Sequence, residues 1–171
     1  MKHIYTILLM VIALLTSCEE SDKYTVVVDT DDLIYYVEYT GDREILDIVD
    51  YFGDTFDANI TVHKWNNGIG RIYFDKPIKK IVDGAFYNCS SLTSINIPNS
   101  ITSIGDYAFY GCDSLTSVYC RATTPPQLGS NVFYNNASGR KIYVPRNSVD
   151  AYKSAAGWTS YAADIVGYDF E

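Results

Sequence analysis

Few residues of this 171-residue chain could take part in acid–base catalysis or metal binding. Its two histidines are His3, in an apolar leader, and His63, in a segment that alternates like a β-strand. No Gly-x-Ser-x-Gly pattern supplies a nucleophile for His63 to activate, and no pair of carboxylates stands out for glycoside hydrolysis. Asp29, Asp31 and Asp32 could offer oxygen ligands to calcium, but the glycine and distal glutamate of an EF-hand are absent. We therefore predict no catalytic residue, no metal site and no cofactor.

Two cysteines and an asparagine occupy equivalent positions in consecutive sequence units. Cys89 and Cys112 stand at the same place in two neighbouring units, and Asn136 takes that place in the next unit. An exported protein could join the two cysteines in a disulfide. Alternatively, each side chain lies beneath a turn and donates a hydrogen bond to a backbone carbonyl. The asparagine favours the second interpretation, because an amide can donate but cannot form a bridge. We predict a structural ladder of Cys89, Cys112 and Asn136, with buried free thiols.

The surrounding residues repeat with the same period. Residues 84–95 return as residues 107–118, and the apolar matches extend back to Ile72 and, with a one-residue shift, forward to Pro145. The matched apolar pairs are Ile72/Ile95, Phe74/Ile97, Ala85/Ala108, Phe86/Phe109, Leu92/Leu115 and Ile95/Val118. A fixed period in the low twenties is typical of a solenoid, in which each unit stacks on its neighbours.

The repeated residues resemble a known family. The pattern Ala-Phe-x-x-Cys-x-x-Leu-x-x-Ile-x-Ile-Pro-x-x-Ile-x-x-Ile-Gly-x-x-Ala-Phe runs from Ala85 to Phe109. It resembles the BspA-like class of bacterial leucine-rich repeats, and the resemblance covers about residues 70–169. It implies exported surface proteins, often engaged in adhesion to host matrix proteins or in contacts between bacteria. It implies no catalytic residues.

The predicted fold is a β-rich α/β solenoid, a short right-handed leucine-rich-repeat stack of about three coils over residues 71–147. Residues 32–70 are predicted to form an N-terminal β-rich capping module with a hairpin of strands 59–65 and 70–74. We predict another strand at 24–29, and a strand or helical turn at 44–49. Residues 148–171 are predicted as a C-terminal helical cap, with Ser148 as N-cap, a helix over 149–156 and Gly157 as its stop. Gly139 replaces the repeated leucine, which predicts looser packing in the last coil.

Residues between the buried positions of each strand should point outward. The candidate binding surface comprises Arg71, Tyr73, Asn96, Tyr119, Lys141 and Tyr143. Stacked strands would place Tyr73, Asn96, Tyr119 and Tyr143 in one stripe. Tyrosine suits both protein interfaces and sugar stacking, although outward tyrosines also occur through β-propensity alone. Near the last coil, Arg121, Arg140, Lys141 and Arg146 form either a basic patch or solvated strand ends.

The first residues predict export and a lipid anchor. Residues 1–17 have a basic start and an apolar run too short to span a bilayer, as in a signal peptide. Leu15-Thr16-Ser17-Cys18 resembles the bacterial lipobox, which predicts lipidation of Cys18; an ordinary signal peptide with an incidental cysteine is the alternative. Residues 18–31 form an acidic tether, similar to the signal that places some lipoproteins on the outer face of the outer membrane. We predict a lipid-anchored outer-membrane protein facing the exterior.

The charge distribution limits the partners. The formal net charge is −8, with fourteen acidic and four basic residues between positions 19 and 75. This balance argues against nucleic acid, which requires a basic footprint. We predict a non-catalytic cell-surface lipoprotein that binds a host matrix or bacterial surface protein through the repeat sheet. The alternative is a glycan-binding accessory lipoprotein of a surface polysaccharide-uptake system. The membrane is contacted only through the lipid.

Overall fold

A computed structural model describes residues 35–42 and 57–170. The predicted signal peptide, lipidated Cys18 and acidic tether lie outside the described residues, as do the expected elements at 24–29 and 44–49. The aspartates at positions 29, 31 and 32 also lie outside them. Within the described ranges, no helix is both long enough and apolar enough to cross a bilayer.

The predicted hairpin is present. Strands β2 (Ile60–Asn66) and β3 (Ile69–Phe74) pair antiparallel, with Asn66 opposite Ile69. Asn67 and Gly68 connect them with φ angles of 49° and 82°. Positive φ at both central residues belongs to a turn whose twist matches the flanking strands, and asparagine followed by glycine adopts it readily.

The repeat units form parallel strands, as their period predicts. In the larger sheet these strands are β5 (Leu92–Ile97), β7 (Ser117–Cys120) and β9 (Lys141–Pro145). Ile95 lies opposite Val118 and Val118 lies opposite Ile142, so equivalent residues of successive units are neighbours. A second, three-stranded parallel sheet contains β4 (Lys80–Ile81), β6 (Ser103–Ile104) and β8 (Gln127–Leu128). The repeat units therefore form a β-rich domain in which their strands run parallel in both sheets.

Strand β1 (Tyr36–Gly41) interrupts this arrangement. The large sheet has seven strands, the last in the chain being β10 (Ile165–Tyr168). Their order is β10-β9-β7-β5-β1-β3-β2, so β1 lies between β3 and β5 and pairs antiparallel with both. The expectation that β3 stacks directly on β5 is therefore wrong. Tyr39 of β1 is fully buried, and its ring occupies the space over Gly70, where a Cβ atom would collide with it. A glycine in β3 thus makes room for an inserted aromatic side chain.

The C-terminal segment contains one short α-helix and a strand. A 3-10 helix (Arg146–Ser148) leads into α1 (Val149–Ser154), which a second 3-10 helix (Trp158–Tyr161) follows. Ser148 occupies the N-cap position of α1, as predicted, but its hydroxyl makes no capping hydrogen bond and instead donates to the Thr123 carbonyl oxygen at 2.8 Å. The helix ends at Ser154, before the predicted stop at Gly157. Gly157 has a φ of 80° and precedes the second 3-10 helix as its N-cap residue.

Strand β10 (Ile165–Tyr168) extends the large sheet where only a helical cap was expected. It pairs parallel with β9, and Ile165 lies opposite Ile142. These two isoleucines are one repeat period apart, so β10 continues the periodicity that the sequence already shows. The isolated match was too weak to reveal a strand within a segment that otherwise favours helix.

Aromatic side chains form the centre of the core. The rings of Phe86, Phe109 and Phe133 stack with centroid separations of 5.0 and 5.4 Å, and all three are buried. Trp158 closes the stack, fully buried and 6.2 Å from the Phe133 centroid. Burying each such side chain stabilises the fold by about 1.5–3 kcal/mol.

A buried arginine accompanies Gly139 in the last repeat unit. Arg140 is 7% exposed, and its guanidinium donates to the Phe133 carbonyl oxygen at 2.6 Å and to Asp164 at 2.6 Å. The same group lies 5.4 Å from the Phe133 ring centroid and 5.2 Å from that of Tyr161. Arg140 is therefore neither part of a basic patch nor a solvated strand end, contrary to both expectations. Hydrogen bonds from its two terminal nitrogens and the cation–π contacts offset the cost of its burial, while its Nε is buried without a hydrogen-bond partner.

Candidate binding surface

Residues from all seven strands align in one row across the outward face of the large sheet. The strand registers place them in the order Lys64, Arg71, Glu38, Asn96, Tyr119, Tyr143 and Val166. We call these residues the central row. Four predicted surface residues, Arg71, Asn96, Tyr119 and Tyr143, belong to it. Lys141 lies on the same face but opposite Ser117, outside the row.

Tyr73 does not join this row. It lies opposite Tyr36, with ring centroids 5.6 Å apart, and is only 8% exposed. The predicted stripe is therefore wrong at this end, because the inserted β1 shifts which β3 residue aligns with Asn96. Arg71 takes that alignment, and its Nε donates to the Glu38 carboxylate at 2.7 Å. The hydrogen bond to Glu38 is the main reason why the pKa of the Arg71 guanidinium is raised.

Three tyrosines interlock at the C-terminal side of this face. The rings of Tyr119 and Tyr143 stack with centroids 4.8 Å apart and planes 13° from parallel. Tyr168 packs edge-on against both, at 5.5 and 5.6 Å. We call Tyr119, Tyr143 and Tyr168 the sheet cluster. Tyr168 was missed because β10 was not expected, although its strand continues the repeat period.

A shallow depression of about 200 Å³ adjoins the sheet cluster. Its lining includes Glu38, Asn96, Tyr119, Arg121, Tyr168 and Phe170. Arg121 donates from Nε to the Asn96 side-chain oxygen at 3.0 Å, and its guanidinium lies 5.0 Å from the Phe170 ring centroid. The depression thus offers aromatic surface beside one acidic and one basic side chain, a combination suited to binding.

The remaining cation of the predicted basic patch is paired. Arg146 donates to the Asp169 carboxylate through both Nε and a terminal nitrogen, the shortest distance being 2.7 Å. This contact lowers the pKa of Asp169 and raises the pKa of Arg146. Both side chains are exposed, so the pair contributes little to stability. With Arg140 buried, the four cations do not form one basic patch.

The Cys/Asn ladder has the predicted structural role at Cys112 and Asn136. Cys112 donates to the Phe86 carbonyl oxygen at 3.0 Å, and Asn136 donates to the Phe109 carbonyl oxygen at 2.7 Å. Among the described residues no disulfide forms, so the bridged alternative is wrong. Cys112 is buried as predicted, whereas Cys89 is only half-buried. Burial is the main reason why the pKa of Cys112 is raised, which makes its thiol a poor nucleophile.

His63 is a strand residue, as predicted. It lies in β2, and its Nε2 is 2.8 Å from the Tyr39 hydroxyl. The described part of the chain brings no three His, Cys, Asp or Glu side chains together in a way that could hold a metal ion.

A second aromatic surface lies on the turns that follow β4, β6 and β8, and sequence reasoning missed it. The rings of Tyr87, Tyr110 and Tyr134 stack in series, with centroids 5.3 and 5.6 Å apart. Tyr107 packs edge-on against Tyr110 at 5.7 Å. We call these four tyrosines the turn ladder. Its signal was present in the sequence, because Tyr87, Tyr110 and Tyr134 take equivalent places in three consecutive repeat units.

Comparison with known families extends the internal repeat analysis. The family model described as BspA type leucine-rich repeat region matches residues 62–157 in six copies, which is more than half of the chain. No curated protein matches the chain.

Proposed function

Because the chain belongs to the BspA-type leucine-rich repeat family, we propose that it binds a protein partner through the outward face of its large sheet. The family is one of repeat proteins that bind other molecules and are typically non-catalytic. The observation that carries the proposal is the sheet cluster, in which Tyr119, Tyr143 and Tyr168 hold one another in place.

The sheet cluster has the properties of an interface anchor. Tyrosine combines a large apolar ring with a hydroxyl that can donate and accept, and it is enriched at binding hot spots. Rings that already pack against one another lose little side-chain entropy when a partner covers them. Glu38 and Arg121 lie in the adjoining depression and provide charges of both signs for orienting the partner.

We infer that the repeat strands form a short right-handed solenoid of about three coils over residues 71–147. The parallel pairing of β5, β7 and β9 in the register of the repeat supports this inference. The strands β1, β3 and β2 then form one end of the large sheet beyond β5, and residues 148–171 cover the other end. Such a solenoid presents its large sheet as one continuous surface, which is how repeat proteins engage partners.

The proposed location is the outer membrane, with the protein facing the exterior through a lipid on Cys18. The support is the apolar run before Leu15-Thr16-Ser17-Cys18 and the acidic residues after it. Residues 1–17 are then a signal peptide and residues 18–31 a tether. A host matrix protein or the surface of a neighbouring bacterium would be within reach. Labelling with a radioactive fatty acid tests the anchor, which a Cys18→Ser variant must fail to incorporate.

The binding proposal is tested with a panel of purified extracellular-matrix and bacterial surface proteins. We expect Tyr143→Ala and Tyr168→Ala to weaken the affinity for the bound partner by about tenfold or more, because each removes a packed aromatic anchor. Tyr143→Phe keeps the stacked ring and isolates the contribution of the hydroxyl. Biolayer interferometry measures the dissociation constants.

The matched control is Tyr134→Ala, which removes an exposed tyrosine of the turn ladder and leaves the sheet cluster intact. It should bind the protein partner as the unaltered chain does. If no protein of the panel binds, or if both sheet variants bind with unchanged affinity while remaining folded, the proposal is wrong.

A further inference from the structure

We propose that the turn ladder is a second binding site, which takes an extended, neutral polysaccharide chain. Tyr87, Tyr107, Tyr110 and Tyr134 line it together with Asn131, around an open depression of about 610 Å³. None of these residues belongs to the sheet cluster, so this site does not depend on the protein-binding proposal.

The lining has the chemistry of a neutral sugar site. Its five side chains are four phenols and one amide, and none of them is charged or aliphatic. Each phenol presents an apolar ring with a hydroxyl that can both donate and accept, and the amide of Asn131 can likewise donate and accept. A pyranose is complementary to such a surface, because it has apolar C–H faces and a rim of neutral hydroxyls. An acidic or basic ligand would find no partner of opposite charge in this lining.

The arrangement of the rings indicates a polymer. Tyr87, Tyr110 and Tyr134 are nearly parallel, with interplanar angles of 8° and 17°, and their spacing is almost constant at 5.3 and 5.6 Å. A row of equivalent contacts is best satisfied by a ligand whose own units repeat along one direction. A polysaccharide has this property, whereas the side chains of a protein partner generally do not repeat.

The backbone conformation of Tyr107 is a further indication that its side chain takes part in binding. Tyr107 has a φ of 57°, a left-handed conformation that strains a bulky residue. The equivalent positions in the units before and after are Gly84 and Asn131, with φ angles of 65° and 52°, and both residue types tolerate this conformation. Tyr107 is 42% exposed, so burial in the core does not compensate the strain. Strained residues of this kind cluster at ligand sites.

The strain makes Tyr107→Gly an informative variant. Glycine adopts a positive φ without a steric penalty, so this change should leave the melting temperature near that of the unaltered chain. The substitution nevertheless removes the Tyr107 side chain from the lining of the site. If the role of Tyr107 is purely structural, the substitution should change stability without loss of binding. If Tyr107 binds the ligand, the substitution should weaken binding without a change in stability.

The experiment is affinity gel electrophoresis of the full chain through soluble β-glucan, xylan, galactomannan and, as an acidic control, polygalacturonate. We expect at least one neutral polysaccharide to retard the chain and polygalacturonate to have a weaker effect. Tyr107→Gly and Tyr110→Ala should weaken the retarding interaction by about tenfold or more. Tyr143→Ala, in the sheet cluster, should be retarded as the unaltered chain is.

Three results would overturn the proposal. One is that no neutral polysaccharide retards the unaltered chain. The second is that Tyr107→Gly and Tyr110→Ala, both folded by circular dichroism, are retarded normally. The third is that the ladder variants instead lose affinity for a protein of the matrix panel, which would make the ladder a protein interface. A failure of the sheet cluster to bind protein leaves the first two readouts, which are both electrophoretic, unchanged.

Discussion

The same sequence period leads to different strand neighbours at the two ends of the repeat region. At the C-terminal end, Ile142 and Ile165 are one repeat period apart and lie opposite each other on paired strands. At the N-terminal end, Ile72 and Ile95 have the same separation, but β1 lies between their strands. A matching period therefore shows which residues face the core and does not show which strands are neighbours.

Burial accounts for the difference. Val37 and Tyr39 of β1 are fully buried, so the inserted strand supplies core side chains of its own. One strand adds a spacing of about 4.8 Å to the sheet, which separates β3 from β5. In β10, Ile165 is buried whereas Val166 and Tyr168 are exposed, so the added strand covers the last repeat unit with a single inward side chain. Trp158 and Tyr152, which are both fully buried, also close that end.

The largest effect is expected at this closure. Trp158→Ala should lower the free energy of unfolding by about 3–5 kcal/mol, because it leaves a cavity at the end of the phenylalanine stack. Trp158→Phe is the matched variant, since it keeps most of the ring and removes the hydrogen bond from Nε1 to the Pro126 carbonyl oxygen, 2.8 Å long. It should be less destabilising. Urea denaturation measures both, and a loss below about 1 kcal/mol for Trp158→Ala would contradict the closing role.

A pH-dependent effect should follow at the same end. Burial raises the pKa of Cys120 from 9.0 to about 11. The Tyr152 hydroxyl donates to the Ala122 carbonyl oxygen at 2.8 Å, so the Cys120 thiol is the donor in its 3.2 Å contact with Tyr152. The folded state therefore holds a proton that the unfolded state releases above pH 9. The stabilising contribution of the protonated Cys120 thiol is complete below pH 9. It is lost between pH 9 and about 11, and this loss lowers the free energy of unfolding by about 2–3 kcal/mol.

Cys120→Ser is the control for this titration. Serine can donate the same hydrogen bond but does not ionise in this range. The decline in unfolding free energy between pH 9 and 11 should be smaller in the variant, because the titration of the Cys120 thiol is absent from it. Equal slopes for the two proteins would show that Cys120 ionises as easily when folded as when unfolded.

At the N-terminal end, the close approach of Tyr39 to Gly70 can be tested directly. Gly70→Ala should destabilise the fold by about 1–3 kcal/mol, because the added methyl group forces the Tyr39 ring from its place. In a Tyr39→Leu background the same change should have a smaller effect, and a double-mutant cycle measures this coupling. Additive effects of the two substitutions would mean that β1 does not lie over Gly70 in solution.

Prediction from the sequence succeeded where local pattern was sufficient. Alternation and period identified the hairpin, the inward isoleucines and the ladder of Cys112 and Asn136. It failed for Arg140, because the carbonyl of Phe133 and the carboxylate of Asp164 that make its burial tolerable are recognisable only in the folded chain. Tyr73 was misplaced for a related reason, since its row depends on a strand inserted from another part of the sequence.

The candidate sites show the same division. The sequence alone identified Tyr119 and Tyr143 as outward neighbours, because they are equivalent residues of consecutive parallel strands. The third member of the sheet cluster, Tyr168, required knowledge that β10 joins the sheet. The turn ladder was visible as a spacing of tyrosines, but their orientation and the strained φ of Tyr107 appear only in the structure.

The sequence by itself determined the repeat period, the inward face of each strand and the family to which the chain belongs. These properties depend on residue type and local spacing, because side chains alternate along a strand whatever its neighbour. Only the tertiary structure decided that β1 separates β3 from β5, that β10 extends the sheet and that Arg140 is buried. These outcomes depend on partners distant in the sequence, since one pattern of inward residues is compatible with more than one neighbouring strand.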